Sequence, residues 1–116
     1  MTTDDTLKIR DLNDAFRRDF PANGRRYITD GIFALDGDDR AAILEKVRTF
    51  DAFTEDNDPH GEHDFGAFDF KDERIFWKID YYNRKSFGSG FEMGADCPED
   101  ATKTMRVLTI MLADEY

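Results

Sequence analysis

Disulfides, zinc ribbons, membrane spans and excess positive charge are all scarce or missing in this sequence. It holds one cysteine, Cys97, so no internal disulfide can form and no CxxC pair can seat zinc, which agrees with a reducing compartment. Cys97 is also a poor nucleophile, because both histidines, His60 and His63, lie far upstream of it, and a buried or capping role fits it better. No eighteen apolar residues run together, and the N-terminus has no basic segment leading into an apolar one, so a cytoplasmic protein that neither spans nor enters a membrane is expected. Sixteen Lys and Arg stand against 26 Asp and Glu, giving a net charge of −10. Repulsion of that size disfavours direct binding to nucleic acid or an anionic membrane, so a partner should be basic.

What is present suffices for one core. Apolar residues make up 40% of the 116 and aromatics 14%, eleven of them Phe, so the chain is expected to fold despite 36% charged residues. Its length suits a single domain. Residues 1–5, MTTDD, read as an untethered N-terminus, and residues 6–116 as one α+β domain.

Periodicity divides that domain. Ile9, Leu12 and Phe16 lie on one helical stripe in residues 6–19, behind an Asp5/Thr6 cap and ahead of Pro21 and an Asn23-Gly24 turn. Residues 25–35, RRYITDGIFAL, read as a strand with Gly31 as a bend or bulge. A second helix is predicted over about 38–52, with Asp at its N-terminus and Ile43, Leu44, Val47 and Phe50 on its apolar face. DFGAFDF and RIFWKIDYY flank Lys71-Asp72-Glu73 as a hairpin in which Ile75, Trp77, Ile79 and Tyr81 face the core. Residues 83–95 are glycine-rich, either a loop or a short extra strand, and their GSG lacks the lysine, hydroxyl and following helix of a phosphate cradle. A third helix is expected from Pro98, capped by Asp96 or Cys97, with Ala101, Met105, Leu108 and Leu112 at helical spacing. The predicted architecture is an α+β two-layer sandwich, a small antiparallel sheet of three to four strands packed against about three helices, the last lying across the sheet.

The stretch TEDNDPHGEHDFGAFDFKDE, residues 54–73, concentrates charge: residues 51–73 hold nine acids against Lys71 alone. Asp58, His60, Glu62, His63 and Asp64 are all ligand-capable, with Asp58, His60 and His63 the set a metal would choose. The spacing fits no standard site: HGEH puts its histidines three apart in a turn after Asn57-Asp58-Pro59, whereas zincins need them four apart on a helix, and the acids miss the calcium-loop positions. Acid–base chemistry by Asp58, Glu62 or His63 is conceivable, yet no nucleophile, cofactor motif or oxyanion device accompanies them. Trp77, Tyr81 and Tyr82 could line a pocket, although aromatics in such a strand more often pack the core. No cofactor, metal or catalytic residue is expected.

NDPHGEHDFGAF, FWKIDYYN and RVLTIMLADEY together resemble the signature blocks of the family called domain of unknown function 3768, and the likeness runs from about Leu12 to Tyr116. The resemblance carries no activity, cofactor or catalytic residue to these positions. It implies a setting: small proteins of alphaproteobacteria, often borne on plasmids and other mobile elements. Proteins in such a setting often blunt host defences against foreign DNA. Setting and charge lead to the expectation of a non-enzymatic inhibitor of anti-CRISPR or antirestriction type. Its acidic patch, Asp56, Asp58, Glu62, Asp64, Asp69, Asp72 and Glu73, would stand where phosphates sit on the basic surface of a nucleic-acid-handling protein. The alternatives are a metal-dependent or acid–base enzyme at Asp58, His60, Glu62 and His63, and a small regulatory or toxin–antitoxin partner protein.

Overall fold

The computed structural model describes residues 3–19 and 24–116. Helix α1 spans Asp4–Asp19, strand β1 Arg25–Ile28, a single helical turn α2 Asp30–Phe33, and helix α3 Gly37–Arg48. Strands β2 (Phe65–Phe70), β3 (Glu73–Asn83) and β4 (Thr104–Leu112) follow, then a 3₁₀ turn at Ala113–Glu115. Three α-helices and a four-stranded sheet among the described residues make the fold α+β.

The helices and the hairpin follow their sequence periods. Ile9 and Phe16 of α1 and Ile43 and Val47 of α3 are buried as the 3.6-residue period requires. Thr3 caps α1, its Oγ1 accepting the Thr6 N–H at 3.1 Å, so the helix starts at Asp4, inside the stretch read as untethered and ahead of the expected Asp5/Thr6 cap. Pro21 and Asn23, expected to end this helix, lie outside the described residues. Phe70 pairs with Glu73 across the two-residue loop Lys71-Asp72, and Lys71 takes the left-handed φ of 53° that a primed hairpin turn needs. Ile75, Trp77 and Ile79 point to the core, as their alternation predicts.

Three expectations need correction. The segment predicted as a C-terminal helix is β4, the strand between β1 and β3 in the sheet order β1-β4-β3-β2. A central strand buried between neighbouring strands, with low exposure on both faces, reads as a nearly continuous apolar run, and Met105, Leu108 and Leu112 of MRVLTIML satisfy a helical period by coincidence of composition. Its β-branched Thr104, Val107, Thr109 and Ile110 carry the strand preference. Pro98 and Asp100 sit instead in the turns before it, where Asp100 Oδ1 accepts the Thr102 N–H at 2.9 Å. Second, the sheet is mixed: β3 runs antiparallel to β2 and β4, but β1 pairs with β4 in parallel, Arg25 opposite Val107 through Ile28 opposite Ile110. Third, Gly31 lies in α2 rather than in a bent strand. Its N–H donates to Glu115 Oε2 at 2.9 Å, and a Cβ there would come within 2.6 Å of Glu115 Oε1 and of Leu112 Cδ1.

One face of the sheet carries the core. Phe16, Ile32, Ile43, Val47 and Phe50 pack on Ile75, Trp77, Ile79, Leu108 and Ile110, so the helices form one layer on one side of the sheet. Trp77 is wholly buried, edge-on to Phe50 at 5.6 Å and to Phe53 at 6.1 Å. Gly66 faces it in the ladder, where any Cβ would overlap the indole. The segment 84–94 is a run of turns, with Gly88 and Gly90 at positive φ and a single bridge between Tyr82 and Gly94. No helix among the described residues is long and apolar enough to cross a membrane.

Candidate functional site

The acidic loop before β2 is held down by α1. Arg10, Asn13, Asp14 and Arg17 recur three and four residues apart, so they form a polar stripe beside the apolar one and face the loop. Arg10 Nε donates to Gly61 O at 2.7 Å, and Asn13 Nδ2 to Glu62 O at 3.0 Å. His63 stands at the centre, in left-handed backbone at φ 56°. Its backbone N–H donates to both oxygens of Asp58, at 3.2 and 3.3 Å, and its ring stacks on Phe53 with centroids 3.7 Å apart. Asp14 Oδ1 receives its Nδ1–H at 2.9 Å, while Nε2 lies 3.8 Å from Asp58 Oδ2. The two carboxylates therefore occupy opposite ends of the imidazole and share no common point with it.

A second chain of polar groups adjoins the first. Tyr81 OH donates to Glu62 Oε1 at 2.9 Å and accepts from Asn13 Nδ2 at 2.7 Å. Asn13 Oδ1 in turn accepts from Arg106 Nε at 2.7 Å, and Arg106 also donates to Pro98 O. Burial raises the Tyr81 pKa above its ordinary value and lowers that of Arg106, the latter opposed by Tyr81 and Glu62. Arg17, buried at 1% exposure, donates to Phe50 O at 2.7 Å and pairs with Asp14 at 3.2 Å, its guanidinium lying 4.9 Å over Trp77. Burial lowers its pKa and Asp14 opposes the shift. Asp64 is pushed the other way: burial first, then the neighbouring Glu62, raises its pKa.

The seven carboxylates of the expected acidic face are thus divided. Asp58 and Glu62 are turned into the network, and Asp64 is half-buried beside it. Asp56 is exposed on the same loop, while Asp69, Asp72 and Glu73 are exposed at the far end of the hairpin, roughly 20 Å along a six-residue strand. His60 is exposed and makes no group with Asp58 and His63; among the described residues no three His, Cys, Asp or Glu side chains are placed to hold a metal ion. Around His60 and His63 lies a cleft of about 610 Å³, walled by Arg10, Phe53 and Pro59.

Arg17 and Arg106 were not singled out by the sequence. The signal was there in part: RDLNDAFR places four polar groups on one helix face, and Arg106 is the single charge inside an apolar run, a position that demands partners.

These features define a small acidic α+β protein with one helix layer, one mixed sheet and an internally braced acidic loop. Residues 28–115 match the family described as Protein of unknown function (DUF3768), and the chain belongs to that family. No curated protein and no solved structure matches it.

Proposed function

We propose that this protein is a non-enzymatic binding protein that docks an acidic end on a basic surface of a nucleic-acid-handling protein, as an inhibitor of a host defence of anti-CRISPR or antirestriction type. One observation supports the reading most. Lys71 Nζ lies 2.9 Å from Asp39, so the hairpin tip with Asp69, Asp72 and Glu73 sits beside the α3 N-terminus with Asp36, Asp38 and Asp39. Two acidic segments thirty or more positions apart become one surface, and of the cations among them Arg74 is already tied to Asp69 at 3.1 Å. The hydrogen bond to Asp39, and then the charge of that carboxylate, raises the Lys71 pKa. In this reading Asp56, Asp69, Asp72 and Glu73 face the partner, while Asp58, Glu62 and Asp64 brace the loop.

The test reverses Asp38, Asp69, Asp72 and Glu73 to lysine. The four lie on exposed or partly exposed positions, so the circular dichroism spectrum and melting temperature should hardly change. Capture of nucleic-acid-binding proteins from a bacterial host lysate should collapse, and capture by the unmodified protein should weaken with salt and with added duplex DNA, since clustered charges act over a Debye length of about 8 Å. Capture indifferent to reversal, salt and DNA would sink the proposal.

A second reading rests on Asp14 and His63 alone. A carboxylate on Nδ1 orients an imidazole that lines a cleft, its Nε2 lying 3.8 Å from Asp58 Oδ2, an arrangement in which a general base would have a group to orient it. Turnover of activated ester substrates, abolished by His63→Gln, would establish it; no turnover above the buffer rate retires it.

A further inference from the structure

The sheet face turned away from the helices holds a cleft of about 740 Å³, within the size of small-ligand sites. Its floor is apolar: Val107 and Met111 of β4 are 6% and 3% exposed although no helix covers that face. Four aromatic rings rise from it, Tyr27 of β1, Tyr82 of β3, Phe87 of the glycine-rich segment, and Tyr116. Tyr27 is 50% and Tyr116 76% exposed, so the rim is open to a large partner.

The charges in the cleft are unequal. Lys78 and Asp80 pair with each other at 3.0 Å, which leaves Glu92 and Glu115 as the uncompensated lining groups. Glu115 is a fixed anion: the Thr29 hydroxyl donates to it at 2.5 Å, and the backbone N–H groups of Gly31 and Leu112 each at 2.9 Å. Those bonds, Thr29 first, hold its pKa below the ordinary carboxylate value. Glu92 accepts from the Gly88 N–H at 3.3 Å and is otherwise exposed. An anionic ligand is repelled by this pair. A neutral apolar one would cover both carboxylates and bring no countercharge. An organic cation satisfies rings and carboxylates together, because aromatic faces attract cations where water is partly excluded. The chain itself supplies an instance at the cleft edge, where the Arg25 guanidinium lies 6.0 Å over the Phe87 ring.

We propose that this cleft receives an arginine or lysine side chain of the basic partner, its aliphatic stem on Val107 and Met111 and its charged head between Glu92, Glu115 and the tyrosine rings. The proposal rests on the reading of a basic partner but uses a surface separate from the acidic hairpin tip, and the two are tested apart.

The full chain, labelled with nitrogen-15, is titrated with a capped hexa-arginine peptide, and with hexaglutamate as control, while backbone amide shifts are followed. Saturable shifts at Lys78, Tyr82 and Thr109 with the cationic peptide alone are expected. Tyr27→Ala combined with Tyr116→Ala should weaken that binding about ten-fold, and Glu92→Gln should weaken it without touching any packed residue. Lysine reversals at Asp69 and Asp72 should leave the cleft shifts in place. Shifts confined to the hairpin tip and the α3 N-terminus, or cleft shifts untouched by the tyrosine and Glu92 variants, overturn the cleft and leave the docking reading standing. Cleft shifts with no response at the tip support the cleft while counting against the tip. Silence at both surfaces overturns both.

Discussion

Replacing Asn13 by alanine removes the junction of the internal polar network. The side chain is completely buried, and its two polar atoms make three hydrogen bonds: to Glu62 O at 3.0 Å, to Tyr81 OH at 2.7 Å, and from Arg106 Nε at 2.7 Å. A neutral hydrogen bond contributes about 1 kcal/mol net and one to a charged group about 1.5 to 3, with more lost when a buried partner is left unsatisfied, so Asn13→Ala should cost about 3 to 5 kcal/mol. Arg106 dominates the loss, because its buried guanidinium would keep, among the described residues, only its hydrogen bond to the Pro98 carbonyl. With a urea slope of about 1.5 kcal/mol/M for a domain of this size, the unfolding midpoint should fall by roughly 2 to 3 M. A double-mutant cycle with Tyr81→Phe should return a coupling of about 0.5 to 3 kcal/mol, since both variants break the same bond. A midpoint shift below about 0.5 M at unchanged slope would refute the reasoning. It would mean that water replaces Asn13 at no cost and that the network is not what fixes the loop.

Trp77→Ala should cost about 3 to 5 kcal/mol in the same assay, because it empties a site packed by Phe50 and Phe53 and strips Arg17 of its stacking surface; ready quenching of the indole by acrylamide in the unmodified protein would contradict its burial. Gly31→Ala should cost about 1 to 3 kcal/mol, since its Cβ would meet Glu115 and Leu112 at 2.6 Å, and a neutral effect on the thermal midpoint would show that the 3₁₀ turn yields freely. Asp64→Asn tests the sign of a raised pKa. A carboxyl that holds its proton more tightly folded than unfolded destabilises the fold once ionised, and that destabilisation fades as pH falls through the raised folded value toward the ordinary 3.8. The variant should therefore melt higher than the parent at neutral pH and lose its advantage in acid; a gain independent of pH, or none, argues against it.

What the sequence alone could determine was whatever is written in a local period. Helices α1 and α3 announce themselves because each buries one face and leaves the other wet, and β3 does so because Ile75, Trp77 and Ile79 alternate with Phe76, Lys78 and Asp80. Net charge and the acidic concentration were equally legible, being sums over residues. The last element was not. Once a strand's residues are buried on both faces its period vanishes, and only pairing with β1 and β3, set by residues far away in the chain, makes 104–112 a strand. Nor could composition tell an inward carboxylate from an outward one. Asp58 and Asp56 are two residues apart in one turn, yet one is sealed against His63 and the other faces water, because α1 brings Asp14 and Asn13 to one side of the loop alone. Arg106 finds Asn13 across 93 positions. Such partnerships are decided by tertiary contact, since a charge or amide cut off from water must meet its complement wherever the fold has placed it.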